Sequence, residues 1–139
     1  LTRTGAVMGT PAYMSPEQAG GEPSVDGRAD IYSLGTVAFF ALTGRPPFDA
    51  PSVGKVLSAH LTQTPPRADA VCAGVPSDLS DVIVRCLAKD AEGRFDSMRT
   101  VAAAIREALR EYDGLARPPI RKPARNSTRT SSRITGASK

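Results

Sequence analysis

One stretch constrains the fold more than any other: Ala29-Asp30-Ile31-Tyr32-Ser33-Leu34-Gly35-Thr36-Val37-Ala38-Phe39-Phe40-Ala41-Leu42-Thr43. It predicts a helix over 29–43, with Asp26 in the N-cap region and Gly44 just past the end as the stop. Apolar side chains lie around most of its circumference, the pattern of a helix buried on several sides. In a chain of 139 residues such a helix needs other elements packed about it. The sequence supplies them as further helices. No period-two strand and no internal repeat is evident.

Residues 1–28 are rich in Gly, Pro, Thr and Ser and read as irregular chain, with a helical turn near Pro16–Ala19. A Pro-punctuated loop after Gly44 leads into a short amphipathic helix over 52–61, and residues 62–76 read as loop around Pro65, Pro66, Gly74 and Pro76. Ser77 is expected to cap a helix to Ala88 whose apolar stripe is Leu79, Val82, Ile83, Cys86 and Leu87. Ser97 is expected to cap a last helix to Tyr112, with the stripe Met98, Val101, Ile105, Leu109 or Ala108, and Tyr112. Aromatic residues make up only 5% and Trp is absent, so the core is mainly aliphatic. The longest apolar run, Val37–Leu42, is far short of the ~18 residues of a membrane span. The chain opens Leu1-Thr2-Arg3-Thr4 without an initiator Met or an apolar h-region, and it reads as a piece of something longer.

Charge divides the chain in two. The net of +4 comes from 18 Lys and Arg against 14 Asp and Glu, yet residues 1–115 hold 11 basic and 14 acidic residues, a net of −3. From Ala116 onward there are seven basic residues, seven Ser and Thr, and no acid. Such a segment cannot bury enough apolar surface to offset its ordering entropy. Residues 1–112 therefore read as the folded part and 113–139 as a disordered basic tail or linker. A nucleic-acid-binding domain carries its basic footprint on the folded part. This one does not, which argues against a nucleic-acid partner.

Cys72 and Cys86 make no disulfide framework, and no Cys/His cluster has zinc spacing. Cys86 falls at an apolar helical position and reads as a small buried hydrophobe. His60 is the only histidine, and its helix neighbours offer no partner for a nucleophile–base pair.

The most specific strings come in order. They are Gly9-Thr10-Pro11-Ala12-Tyr13-Met14-Ser15-Pro16-Glu17-Gln18, Asp26-Gly27-Arg28-Ala29-Asp30-Ile31-Tyr32-Ser33-Leu34-Gly35, Leu42-Thr43-Gly44-Arg45-Pro46-Pro47-Phe48 and Cys86-Leu87-Ala88-Lys89-Asp90-Ala91-Glu92-Gly93-Arg94-Phe95. Together they resemble the C-terminal lobe of a bacterial eukaryotic-like Ser/Thr protein kinase, beginning inside the activation segment. The resemblance implies a mainly α fold, helices around a buried central helix, within the protein kinase-like architecture. Ser15-Pro16-Glu17 stands where the kinase signature has Ala-Pro-Glu. The resemblance pairs Glu17 with Arg94, a bidentate carboxylate–guanidinium pair that pins the substrate loop to the helical core. It makes Asp30 the anchor of the catalytic loop through backbone N–H groups. It makes Thr10 the partner of a catalytic Asp and Lys, and Thr rather than Pro there favours Ser/Thr over Tyr specificity. Gly9, Pro11, Tyr13 and Met14 shape the docking pocket beside it. Thr2 and Thr4 look like activation-loop threonines, where phosphate adds about 1.5–2 negative charges and can order the loop.

Phosphoryl transfer by this family uses ATP and Mg2+, a Gly-rich loop, a strand Lys, a catalytic Asp and a metal-binding Asp. The 139 residues contain no G-x-G-x-x-G, V-A-I-K-like, H-R-D or D-F-G string. The expectation is a part of a kinase that supplies the substrate-docking loop and C-lobe scaffold. Alone it would bind neither ATP nor metal and have no activity. Its partners would be Ser/Thr-bearing protein substrates and the N-lobe and catalytic loop of the parent chain. The alternative is a non-catalytic, kinase-derived docking or scaffold module. A cytoplasmic location is expected, with the basic tail available to an anionic membrane surface.

Overall fold

The computed structural model describes residues 10–110. Thr2, Thr4, Gly9, Tyr112 and the tail over 113–139 lie outside the described residues, as does the domain boundary at 112. Among the described residues the fold is all helical. A 3-10 turn over Pro11–Tyr13 leads into α1 (Pro16–Gly20), followed by α2 (Arg28–Thr43), α3 (Val53–Thr62), α4 (Ala68–Val71) and α5 (Ser77–Cys86). A second 3-10 turn at Ala91–Gly93 precedes α6 (Met98–Arg110).

Helix α2 is the axis. Asp26 Oδ1 accepts the Arg28 N–H at 2.8 Å and fixes the start of the helix. At the other end Gly44 takes φ = 76°, which an L side chain resists, and its N–H donates to the Phe40 carbonyl at 2.8 Å. Gly35 lets α5 come close: a Cβ there would lie 2.8 Å from Cys86 Cβ and 3.2 Å from two Leu87 side-chain atoms. Tyr32, Phe39, Ala68, Leu79, Ile83, Leu87 and Ala108 form the main core. Ile31, Cys86, Phe95 and Val101 form a second cluster toward α6.

The structure departs from the sequence pattern at several points. Among the described residues α2 is buried along Ala29, Ile31, Tyr32, Gly35, Thr36 and Phe39. Its opposite face leaves Leu34, Val37 and Phe40 at 36%, 50% and 44% exposure. The helix is buried on several sides as its apolar pattern predicts, and one face stays open among the described residues. Helix α4 lies where continuous loop was expected. Its start is capped from another helix, Ser80 Oγ accepting the N–H groups of Ala68 at 3.0 Å and Asp69 at 3.4 Å. Ser77 is the first residue of α5 rather than its cap; Pro76 holds that position, and the helix closes at Cys86. Met98 is 44% exposed, so it does not belong to the buried stripe of α6. It stands at the helix start and opens onto a shallow cleft with Asp26, Gly27 and Asp30.

Candidate functional site: the docking segment and its pin

The candidate site is built on residues 10–17. Pro11 starts a tight turn in which the Tyr13 N–H donates to the Thr10 carbonyl at 3.1 Å and the Met14 N–H to the Pro11 carbonyl at 3.3 Å. Thr10 is exposed, and its hydroxyl caps nothing. Pro11, Tyr13 and Met14 are half-buried. Ser33 on α2 reaches under this segment, its Oγ donating to the Tyr13 carbonyl at 2.8 Å. Immediately after it, Ser15 and Gln18 close a capping box: Ser15 Oγ accepts the Gln18 N–H at 3.4 Å, and Gln18 Oε1 accepts the Ser15 N–H at 3.0 Å. Pro16 occupies the first helical position, where its missing N–H costs nothing.

Glu17 then projects from the first turn of α1 onto Arg94. Arg94 Nη1 donates to Glu17 Oε1 at 2.7 Å, and Nη2 donates to Oε2 at 2.8 Å. The remaining three guanidinium N–H groups are also used. Nε donates to the Ala88 carbonyl at 2.8 Å, Nη1 to the Arg28 carbonyl at 2.9 Å and Nη2 to the Lys89 carbonyl at 2.9 Å. The five donors of an arginine are thereby all paired. The Arg94 side chain is fully buried, and its guanidinium carbon stands 5.0 Å from the centre of the Tyr32 ring. Burial alone would raise the Glu17 carboxyl, but the Arg94 hydrogen bond and charge outweigh it and hold the group below its usual range.

The protein kinase domain family matches residues 2–105 of this sequence. The chain belongs to the protein kinase family. Among its relatives, the serine/threonine-protein kinase Pkn1 of Myxococcus xanthus is 43% identical over 111 residues, which are 80% of this chain and 16% of that protein. PknB of Mycobacterium tuberculosis is 41% identical over 114 residues, 82% of this chain and 18% of that protein. The crystal structure of the Mycobacterium tuberculosis PknI kinase domain superposes with a TM-score of 0.55 and 33% identity, covering 69% of this chain and 34% of that one. The chain thus spans less than a fifth of the length of these two curated relatives. It is a partial kinase domain.

Within this kinase piece Asp30, the proposed catalytic-loop anchor, is exposed at the start of α2. It lines the shallow cleft with Asp26, Asp96 and Ser97. Among the described residues no group of three or more His, Cys, Asp and Glu side chains is placed to hold a metal ion.

Sequence reasoning missed a second set of contacts behind the pin. Lys89 Nζ donates to the carbonyls of Ala59 at 3.3 Å and His60 at 2.8 Å, and it stands 4.3 Å from the centre of the Phe48 ring. Burial and the nearby Arg94 charge bring this ammonium down to about 8. Tyr32 and His60 are both fully buried, with the Tyr32 hydroxyl 2.9 Å from His60 Nδ1. Burial, then the Lys89 charge, lowers His60 to about 4, so the imidazole is neutral at pH 7. Nothing local to the sequence reveals these pairs. Tyr32 and His60 lie 28 positions apart, and Lys89 and His60 lie 29 apart.

Proposed function

We propose that this chain is the substrate-docking and C-lobe part of a Ser/Thr protein kinase that transfers the γ-phosphate of ATP, as Mg-ATP, to protein Ser and Thr residues. The observation that carries the reading is the Glu17–Arg94 pair. With the Ser33–Tyr13 bond it holds the segment over 10–14 against α2, and that segment would receive the substrate polypeptide. A rigidly held docking surface supplies the positioning on which phosphoryl transfer depends. Thr10 is the exposed hydroxyl that would meet a catalytic Asp and Lys. Pro11, Tyr13 and Met14, with Gly9 before them, would contact the substrate residue beside the acceptor. Asp30 would hold the catalytic loop, and Thr2 and Thr4 would accept regulatory phosphate.

The exposed face of α2 supports the same reading. Leu34, Val37 and Phe40 form an apolar surface of the kind that a further part of a kinase domain would cover. The N-lobe and catalytic loop of the parent chain are the partners this assigns. The tail, with seven positive charges, is assigned to an anionic membrane surface on the cytoplasmic side.

Two experiments test the reading. The 139-residue chain, incubated with Mg-ATP and a basic protein, is expected to transfer no phosphate, and calorimetry to find no stoichiometric ATP binding. Phosphate transfer or ATP binding by this chain would contradict the proposal. The coding frame upstream of Leu1 is expected to encode H-R-D and D-F-G strings. A start codon directly before Leu1 would instead favour a non-catalytic scaffold module.

A further inference from the structure

Burial makes His60 the most constrained polar side chain outside the ion pair. Its imidazole is enclosed by Tyr32 from α2, by Phe48, whose ring centre is 5.0 Å away in an edge-on arrangement, and by Lys89 from the segment after α5. The charged groups around it are Lys89 and, beyond the Tyr32 ring, Arg94 with its partner Glu17. His60 Nε2 is buried and has no hydrogen-bond partner. Helix α3, which carries His60, packs on the Pro11–Tyr13 turn, and the Ala12 backbone of that turn is the neighbouring acceptor.

Counting donors and acceptors selects a tautomer. The buried Tyr32 hydroxyl keeps its proton, because burial disfavours the phenolate. If Tyr32 O–H donates to Nδ1, the ring proton sits on Nε2 and only that one N–H is left to place. If instead Nδ1–H donates to the Tyr32 oxygen, both the hydroxyl hydrogen and the bare Nε2 are stranded in the interior. Two stranded groups cost more than one. The first arrangement also puts the free donor on the ring nitrogen that lacks a partner.

We propose that His60 is a positioning residue for the docking segment: Tyr32 holds it as the Nε2–H tautomer, and this N–H takes the Ala12 carbonyl and ties the Pro11–Tyr13 turn to α3. Lys89 already fixes the last turn of α3 through the carbonyls of Ala59 and His60. The element that moves to complete the bond is therefore the docking turn. Ser33 on the Tyr13 carbonyl and His60 on the Ala12 carbonyl then grip successive peptide units, one from α2 and one from α3. The meaning of this grip for substrates rests on the docking role proposed above. The grip itself does not.

His60 is the only histidine, so the 15N-labelled chain shows its two ring nitrogens without assignment. Long-range 1H–15N correlation at neutral pH is expected to show Nε2 protonated and Nδ1 bare. An Nδ1–H tautomer overturns the proposal. Hydrogen exchange then reads the grip. His60→Asn, which leaves no donor at the Nε2 position, speeds exchange of the Tyr13 and Met14 amides about tenfold relative to the global rate, and His60→Gln, which restores an N–H there, recovers most of it. Equal exchange in the two variants overturns the proposal. Should either variant fail to fold, Tyr32→Phe keeps the histidine and removes the hydroxyl. It is expected to mix the tautomers and loosen the same two amides, and an unchanged tautomer contradicts the mechanism. If the kinase reading failed, through phosphate transfer or ATP binding by this chain, these spectra would stay as described.

Discussion

Arg94 and Arg67 are both multiply bonded, yet they do different things for the molecule. Arg67 reaches Asp69 and Asp81 with its side chain 44% exposed, and those carboxylates are 24% and 62% exposed. Arg94 is fully buried, and its partner Glu17 is 11% exposed. In water the attraction within a pair is screened and offset by side-chain ordering. In the interior a lone charge has nowhere to go, so each partner becomes indispensable to the other. The contacts differ in span as well. Arg67 joins neighbours on α4 and α5, whereas Arg94 bridges α1, the start of α2 and the segment before α6. Counting bonds ranks the two arginines alike, and burial ranks them far apart.

The largest expected effect comes from breaking the buried member. Arg94→Ala strands Glu17 and three carbonyls and is expected to destabilise the chain by about 3–5 kcal/mol, a loss visible as a collapse of the melting temperature. Next in size is Gly35→Val, which drives a branched side chain into Cys86 and Leu87 and should cost roughly 1–3 kcal/mol by overpacking. Differential scanning calorimetry of each variant measures both.

Acid should widen the contrast. His60 binds a proton less readily when folded, about 4, than when unfolded, 6.5. The unfolded chain therefore takes up more protons between these values. His60 costs no stability above pH 6.5, and stability drains away as pH falls toward 4. The full loss approaches roughly 3 kcal/mol. Glu17, lowered by Arg94, adds a further loss below its ordinary 4.5. His60→Gln flattens the first window and leaves the second. Melting curves from neutral pH down to the folded-state value of about 4 check it.

Smallest are the surface changes. Arg67→Ala and Arg99→Ala, both at exposed positions, are expected to leave the melting temperature almost unmoved. The tail is a separate small effect. A peptide of residues 116–139 should sediment with anionic vesicles at low salt and release at high salt, and equal binding to neutral vesicles would make it a plain linker.

Much of this fold was legible because local signals and packing agree. Gly44 ends α2, Ser52 caps α3 and Ser97 starts α6 with its Oγ on the Thr100 N–H, each a bond between residues within four positions of one another. The stripe from Leu79 to Cys86 is buried because its period matches the helix. What escaped was non-local. The cap of α4 comes from Ser80, and a period search of residues 62–76 cannot see a hydroxyl on another helix. The open face of α2 escaped for the opposite reason: an evenly apolar helix says that cover is wanted, and not which side receives it. At the candidate site the strings around Glu17 and Arg94 were readable through family resemblance. Lys89, Tyr32 and His60 carry no local sign of their association.

Glu17 and Arg94 act as one buried unit that pins the segment over 10–17 to the helical core, and on this the rest depends. A double-mutant cycle with Glu17→Gln and Arg94→Met, read by chemical denaturation, measures it most directly. Each single change is expected to be strongly destabilising, and the double change to cost little more than either, a coupling of about 2 kcal/mol or more. Additive single effects, with coupling below about 0.5 kcal/mol, would show that the two side chains do not act together.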